Sequence, residues 1–114
     1  MTIARKALVW GLFAAGGTLT SFVFPALITL FLLIASGNTP AGLEYVQIHS
    51  FAVSWVGKAS LFGVLFLALW HAAHRLRVAA HDLGLRVDGM VASFLYLAAA
   101  LGSAVAIYYL VLIK

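Results

Sequence analysis

The sequence predicts an all-α membrane protein of three transmembrane helices, with its N-terminus in the cytoplasm. Three observations predict it. The 114 residues are 65% hydrophobic and only 9% charged, and the mean hydropathy is +1.12. The apolar residues fall into three long runs, each near the ~20–25 residues a helix needs to cross a bilayer. The charged residues gather where those runs break. A soluble domain this small exposes most of its residues and needs a polar surface that this composition cannot supply. The expectation is a single transmembrane anchor domain over 1–114.

The first span is expected over about 7–34, with no charged residue inside it. Gly11, Gly16 and Gly17 lie in its first half, where small residues let another helix backbone approach closely. Pro25 lies near its middle and is a candidate bend. Ser36 to Gly42 reads as a loop by composition. The stretch Gly42 to Ser50 is mildly amphipathic and is expected to lead into the second helix. The second span is expected over about 51–70, with Trp55 and Trp70 toward its ends, as interfacial tryptophans often lie. Its one charge, Lys58, lies close enough to the outer end to snorkel or to pair with a partner subunit. A His/Arg segment follows over 71–89. The third span, about 90–113, is uncharged and carries Tyr96, Tyr108 and Tyr109.

Basic residues set the orientation. Arg5 and Lys6 precede the first span, and Arg75, Arg77 and Arg86 separate the second from the third. Three spans put those two regions on one side, and the excess of positive charge places that side in the cytoplasm. The basic start followed by an apolar run is like a signal peptide, but the run is too long for a signal core and reads as a retained span. The expected location is a bacterial cytoplasmic membrane, in contact with lipid.

Composition excludes several chemistries. The absence of cysteine removes disulfides, thiolate metal sites and cysteine-ligated iron–sulfur clusters from this chain. The formal charge of +4 lies between apolar spans, where topology and lipid headgroups explain it better than nucleic acid.

The richest stretch runs from Leu69 to Leu83. It holds Trp70, His71, His74, Arg75, Arg77, His81 and Asp82. As a continued helix it puts Arg75 and Asp82 on one face, with His71 one turn before Arg75, and His74 with His81 on the neighbouring face. An imidazole exchanges protons near neutral pH, a guanidinium offers fixed donors, and an indole offers a flat apolar wall. A quinone needs those three things. The same residues also fit an ordinary basic loop that sets topology. A metal site is disfavoured because nothing completes the His71-x-x-His74 pair. One haem shared by His74 and His81 is disfavoured because both leave the same side of one helix, although one histidine with a partner subunit's ligand stays open. Trp10, at the start of the first span on the same side, is either a belt tryptophan or a wall of one pocket with Trp70 and Arg75. Asp82 and Arg86 would pair only if the helix passed Gly84.

Two blocks carry a family resemblance. Trp10-Gly11-Leu12-Phe13-Ala14-Ala15-Gly16-Gly17 resembles the Trp-Gly-Leu-Phe-x-Ala-Gly-Gly opening of the D subunit of fumarate reductase. Leu69-Trp70, His74-Arg75 and His81-Asp82-Leu83 match that family's second pattern in order and spacing. The resemblance implies a non-catalytic membrane anchor of quinol:fumarate reductase, in the complex II superfamily. It implies three partners: a second three-span anchor, an iron–sulfur subunit and a flavoprotein. FAD and iron–sulfur clusters would then belong to partner subunits, with menaquinol oxidised at the cytoplasmic face during anaerobic fumarate respiration. On this resemblance Trp10, His74 and Arg75 are quinone-binding residues, and Trp70, His81 and Asp82 are neighbours of that site. No residue is expected to be catalytic, and haem is not expected. The alternative function is a haem b-binding anchor of succinate dehydrogenase. Two positions depart from the family pattern. His71 replaces a non-histidine, and Val53 replaces the glutamine of a Phe-Ala-Gln-Ser stretch near a second, outer quinone site.

Overall fold

The computed structural model describes residues 2–114. They form four helices: α1 (Ile3–Ala35), α2 (Tyr45–Val53), α3 (Trp55–Asp82) and α4 (Asp88–Leu112). Helices α1, α3 and α4 are long and apolar enough to cross a membrane. Helix α3 is the middle one, with α1 and α4 both packed on it and α2 folded against its start. The bundle is 49 Å long, longer than a hydrocarbon core of about 30 Å, so helix ends reach into the headgroup region.

Local chemistry sets the helix ends. The Thr2 hydroxyl accepts from the Arg5 N–H at 3.3 Å and opens α1. Helix α1 runs unbroken through Pro25. It closes at Gly37, whose φ of +83° lets the Gly37 and Asn38 N–H groups turn back onto the carbonyls of Ile34 and Leu33. Gly84, at φ +93°, closes α3 the same way, with Gly84 and Leu85 donating to His81 and Ala80.

Two boundaries differ from the sequence expectation. The helix before the second span is separate, because Ser54 is extended (φ −67°, ψ 151°) and caps α3 by accepting from Gly57 N–H at 3.0 Å. Gly57 is required there, since a Cβ would overlap the Phe51 carbonyl. The second span does not end at Trp70. Helix α3 carries on through most of the expected cytoplasmic segment to Asp82, because Ala-, Leu- and Arg-rich sequence keeps helix propensity after the apolar run has ended. Trp70 therefore sits well inside α3, half-buried and stacked on Tyr96 of α4 at 5.1 Å.

Close packing of α1 on α3 explains the glycine pair. A Cβ on Gly16 would lie 2.5 Å from the Leu67 carbonyl oxygen and 2.9 Å from His71 Cβ, and one on Gly17 would lie 2.9 Å from His71 Cε1. The glycines leave room for the His71 ring, which also stacks on Phe13 at 4.6 Å. His71 Nδ1 lies 3.1 Å from the Phe13 carbonyl. A carbonyl only accepts, so this contact makes Nδ1 the protonated nitrogen. Lys58 finds a hydrogen-bond acceptor within the chain. Its Nζ donates to the Ile113 carbonyl at 3.0 Å, placing a cation at the negative end of α4.

Candidate functional site

The site is built where the N-terminal end of α1 meets the C-terminal half of α3. One helix turn separates Trp10 from Phe13 on α1, and their side chains line one pocket with Lys6, Val9 and His74. The pocket is about 170 Å³. The His74 ring lies 4.5 Å from the Phe13 ring, tilted by 58°. Its Nδ1 is 3.1 Å from the Tyr96 hydroxyl of α4. His74 is thus tied to both neighbouring helices and half-buried between them.

The expected site residues separate into groups. Trp10 and His74 come together across α1 and α3. Arg75 does not join them. Successive residues of a helix point about 100° apart, so His74 and Arg75 leave α3 in different directions. Arg75 is exposed, with no hydrogen bond or ion pair among the described residues. Trp10 is 69% exposed, so both it and Arg75 remain free to meet another molecule. Trp70 faces Tyr96 rather than Trp10, and its buried Nε1 has no hydrogen-bond partner among the described residues.

His81 does share a pocket with His74, as helical spacing predicts, together with Arg77, Val78 and Asp88. This second pocket is about 390 Å³ and lies between α3 and α4. Asp82 is exposed and makes no ion pair with Arg75 or Arg86 among the described residues. The turn at Gly84 ends the helix before Arg86 can come into register. The ion pair that forms instead joins Arg77 to Asp88 across the turn. Arg77 Nε donates to Oδ1 at 3.0 Å and Nη2 to Oδ2 at 2.6 Å, a two-pronged geometry suited to guanidinium and carboxylate. Asp88 precedes the apolar run of α4, and the pairing holds its carboxyl below the ordinary pKa of 3.8. Asp88 also begins α4, where a negative charge favours the helix dipole.

Sequence reasoning did not single out Phe13, Tyr96 or the Arg77–Asp88 pair. Tyr96 gave no signal that distinguished it from Tyr108 and Tyr109. Arg77 and Asp88 are eleven residues apart, and only the turn at Gly84 brings them together.

Comparison with known proteins matches this chain along nearly all its length. A family model described as the fumarate reductase D subunit matches residues 2–112. The chain is 35% identical over 108 residues to the fumarate reductase D subunit of Vibrio campbellii, covering 91% of this chain and 85% of the relative. It is 31% identical over 106 residues to that of Aliivibrio fischeri, covering 91% and 88%. It is 33% identical over 106 residues to that of Photobacterium profundum, with the same coverage of 91% and 88%. With three helices able to span a membrane and a match over residues 2–112, the chain belongs to the fumarate reductase D-subunit family.

Proposed function

We propose that this chain, a multi-pass subunit of a fumarate reductase complex, anchors the iron–sulfur and flavoprotein subunits at the cytoplasmic face together with a second three-span subunit. In this reading it also forms one wall of the site where menaquinol is oxidised. The observation that carries the proposal is the pocket where the Trp10 indole, the Phe13 ring and the His74 imidazole meet beside Lys6. It combines a flat apolar wall with a hydrogen-bonding, proton-exchanging group, and quinol binding needs both. Exposed Arg75 lies one residue further along the same helix. In this reading its guanidinium, which leaves α3 in a different direction from His74, meets a quinone carbonyl only in a site that a partner subunit completes. The chain has no cysteine, so electrons from quinol pass to groups carried by the partners. Binding and orienting quinol is the contribution of this subunit.

Purification of the whole complex through a tag on this chain tests the assembly. The expected result is co-purification of the flavoprotein, iron–sulfur and second anchor subunits, with quinol-driven fumarate reduction. Recovery of the chain without those partners would contradict the proposal. A reduced b-type haem band that vanishes in His71→Ala or His74→Ala would establish the haem-binding alternative instead.

A further inference from the structure

The groove between α3 and α4 changes character along its length. At mid-helix it is an apolar slot of about 360 Å³, bordered by Phe62, Phe66 and Trp70 of α3 and by Ala100, Ala104 and Ile107 of α4. Nearer the basic end of the bundle lies the pocket of about 390 Å³ lined by His74, Arg77, Val78, His81 and Asp88. Tyr96 joins the two. Its ring stacks on Trp70, and its hydroxyl meets His74 Nδ1. Polarity thus changes along the groove in the order in which it changes across one leaflet of a bilayer. The lengths agree as well. Phe62 and Trp70 are about 12 Å apart along α3 at ~1.5 Å per residue, close to the ~15 Å of one leaflet's hydrocarbon. Helix α3 begins at Trp55. With the outer boundary there, ~20 residues of rise place the inner boundary near Arg75. Arg77 and His81 then lie at headgroup depth.

The charges at that depth are of both signs. Arg77 gives two of its five N–H groups to Asp88, and three remain. Each Asp88 oxygen accepts one of those bonds and has a second lone pair free. Both side chains stay partly open, 35% and 46% exposed. A purely anionic headgroup would meet Arg77 but be opposed by Asp88, and a purely cationic one the reverse. A headgroup with both a phosphate and a primary ammonium suits both: phosphate oxygens accept from Arg77, and ammonium N–H groups donate to Asp88. Pockets with basic side chains between spans at the cytoplasmic side are recurrent lipid-headgroup sites. We propose that the α3–α4 groove holds one phospholipid of the cytoplasmic leaflet, its ethanolamine headgroup at Arg77 and Asp88 and one acyl chain in the slot of Phe62, Phe66 and Trp70. The lipid covers an apolar face of the chain and links α3 to α4 beside the turn at Gly84. This role is separate from quinol binding and stands whether or not Trp10 and Arg75 contact quinol.

The test uses the purified complex, stripped of lipid by detergent exchange. It is titrated with phosphatidylethanolamine, phosphatidylcholine or phosphatidylglycerol of identical acyl chains, and bound lipid is counted by native mass spectrometry. Ala100 is exposed, so Ala100→Phe is expected to assemble with its ring filling the slot. The lipid that binds the wild type but not Ala100→Phe is the one in the groove. That lipid should bind about tenfold more tightly with ethanolamine than with choline, the effect of one charge-assisted hydrogen bond. Choline has no N–H to give Asp88. Asp88→Asn should erase that preference and favour the anionic glycerol headgroup, because Arg77 is then an unopposed cation. Three results overturn the proposal. One is equal binding of ethanolamine and choline lipid in the groove. Another is an unchanged headgroup order in Asp88→Asn. The third is equal lipid binding by the wild type and Ala100→Phe, the result expected if a helix of a partner subunit fills the groove instead. If Asp88→Asn does not assemble, the wild-type headgroup order and Ala100→Phe still decide the matter.

Discussion

At the residue scale, His71 and His74 show how one turn of helix gives two histidines different tasks. His71 faces α1, packs over Gly17 and donates from Nδ1 to the Phe13 carbonyl. It is a strut between helices. His74 contacts Phe13 and Tyr96 from two sides and borders two pockets. The strut depends on the glycines beneath it. Gly16→Ala puts a methyl group 2.5 Å from a backbone oxygen, which cannot rotate away. The expected destabilisation is about 1–3 kcal/mol, seen as a lower unfolding temperature of the purified complex in detergent. The sequence made the residue types of the site legible: an indole, imidazoles and a guanidinium at one membrane boundary. Their grouping was only partly legible. The pairing of His74 with His81 follows from helical spacing alone, whereas the contact of Trp10 with His74 depends on the rotation of α1 against α3, which periodicity in a uniformly apolar helix does not reveal.

At the element scale, the three spans were legible from their apolar runs, but their ends depend on single residues. Ser54 stops one helix and starts the next, and Gly84 ends α3 after a stretch whose hydropathy alone suggests an earlier exit. Side chains then fasten the ends of α4. Lys58 holds its C-terminus through the Ile113 carbonyl. Lys58→Met removes a cation from that end and is expected to cost about 0.3–1 kcal/mol. The effect should appear as faster amide hydrogen exchange over the last turn of α4, with the other spans unchanged. The Arg77–Asp88 pair holds the other end. The folded-state pKa of Asp88 is lowered, so its contribution is present above the ordinary carboxylate pKa. It is lost as the pH falls through the lower folded value. Protection of the amides at residues 83–88, taken relative to their intrinsic exchange rates, is therefore expected to fall in strong acid, and an Asp88→Asn complex should show the lower protection already at neutral pH.

At the scale of the whole molecule, the chain has almost no interior of its own. Gly16, Gly57, Ala73, Ala99 and Leu110 are the buried residues of its helices among those described. Phe22, Ile28, Phe31, Leu32, Met90, Phe94 and Leu97 are among the large side chains left exposed. In water such a surface would drive association. In a membrane it faces lipid and other spans, as membership of a multi-subunit fumarate reductase requires. The described contacts leave Trp10 and Arg75 open on the end of the bundle that carries the basic residues, ready for partner subunits to complete the site. Whether this end binds menaquinol decides the rest. The most direct test compares quinol-driven with dye-driven fumarate reduction in membranes carrying Trp10→Ala or Arg75→Leu. Loss of one such contact should reduce quinol-driven kcat/KM by about tenfold or more, the equivalent of a charge-assisted hydrogen bond or a buried aromatic wall. Dye-driven activity, which reports assembly of the partners, should remain. Unchanged quinol kinetics in both variants would contradict menaquinol binding at this end.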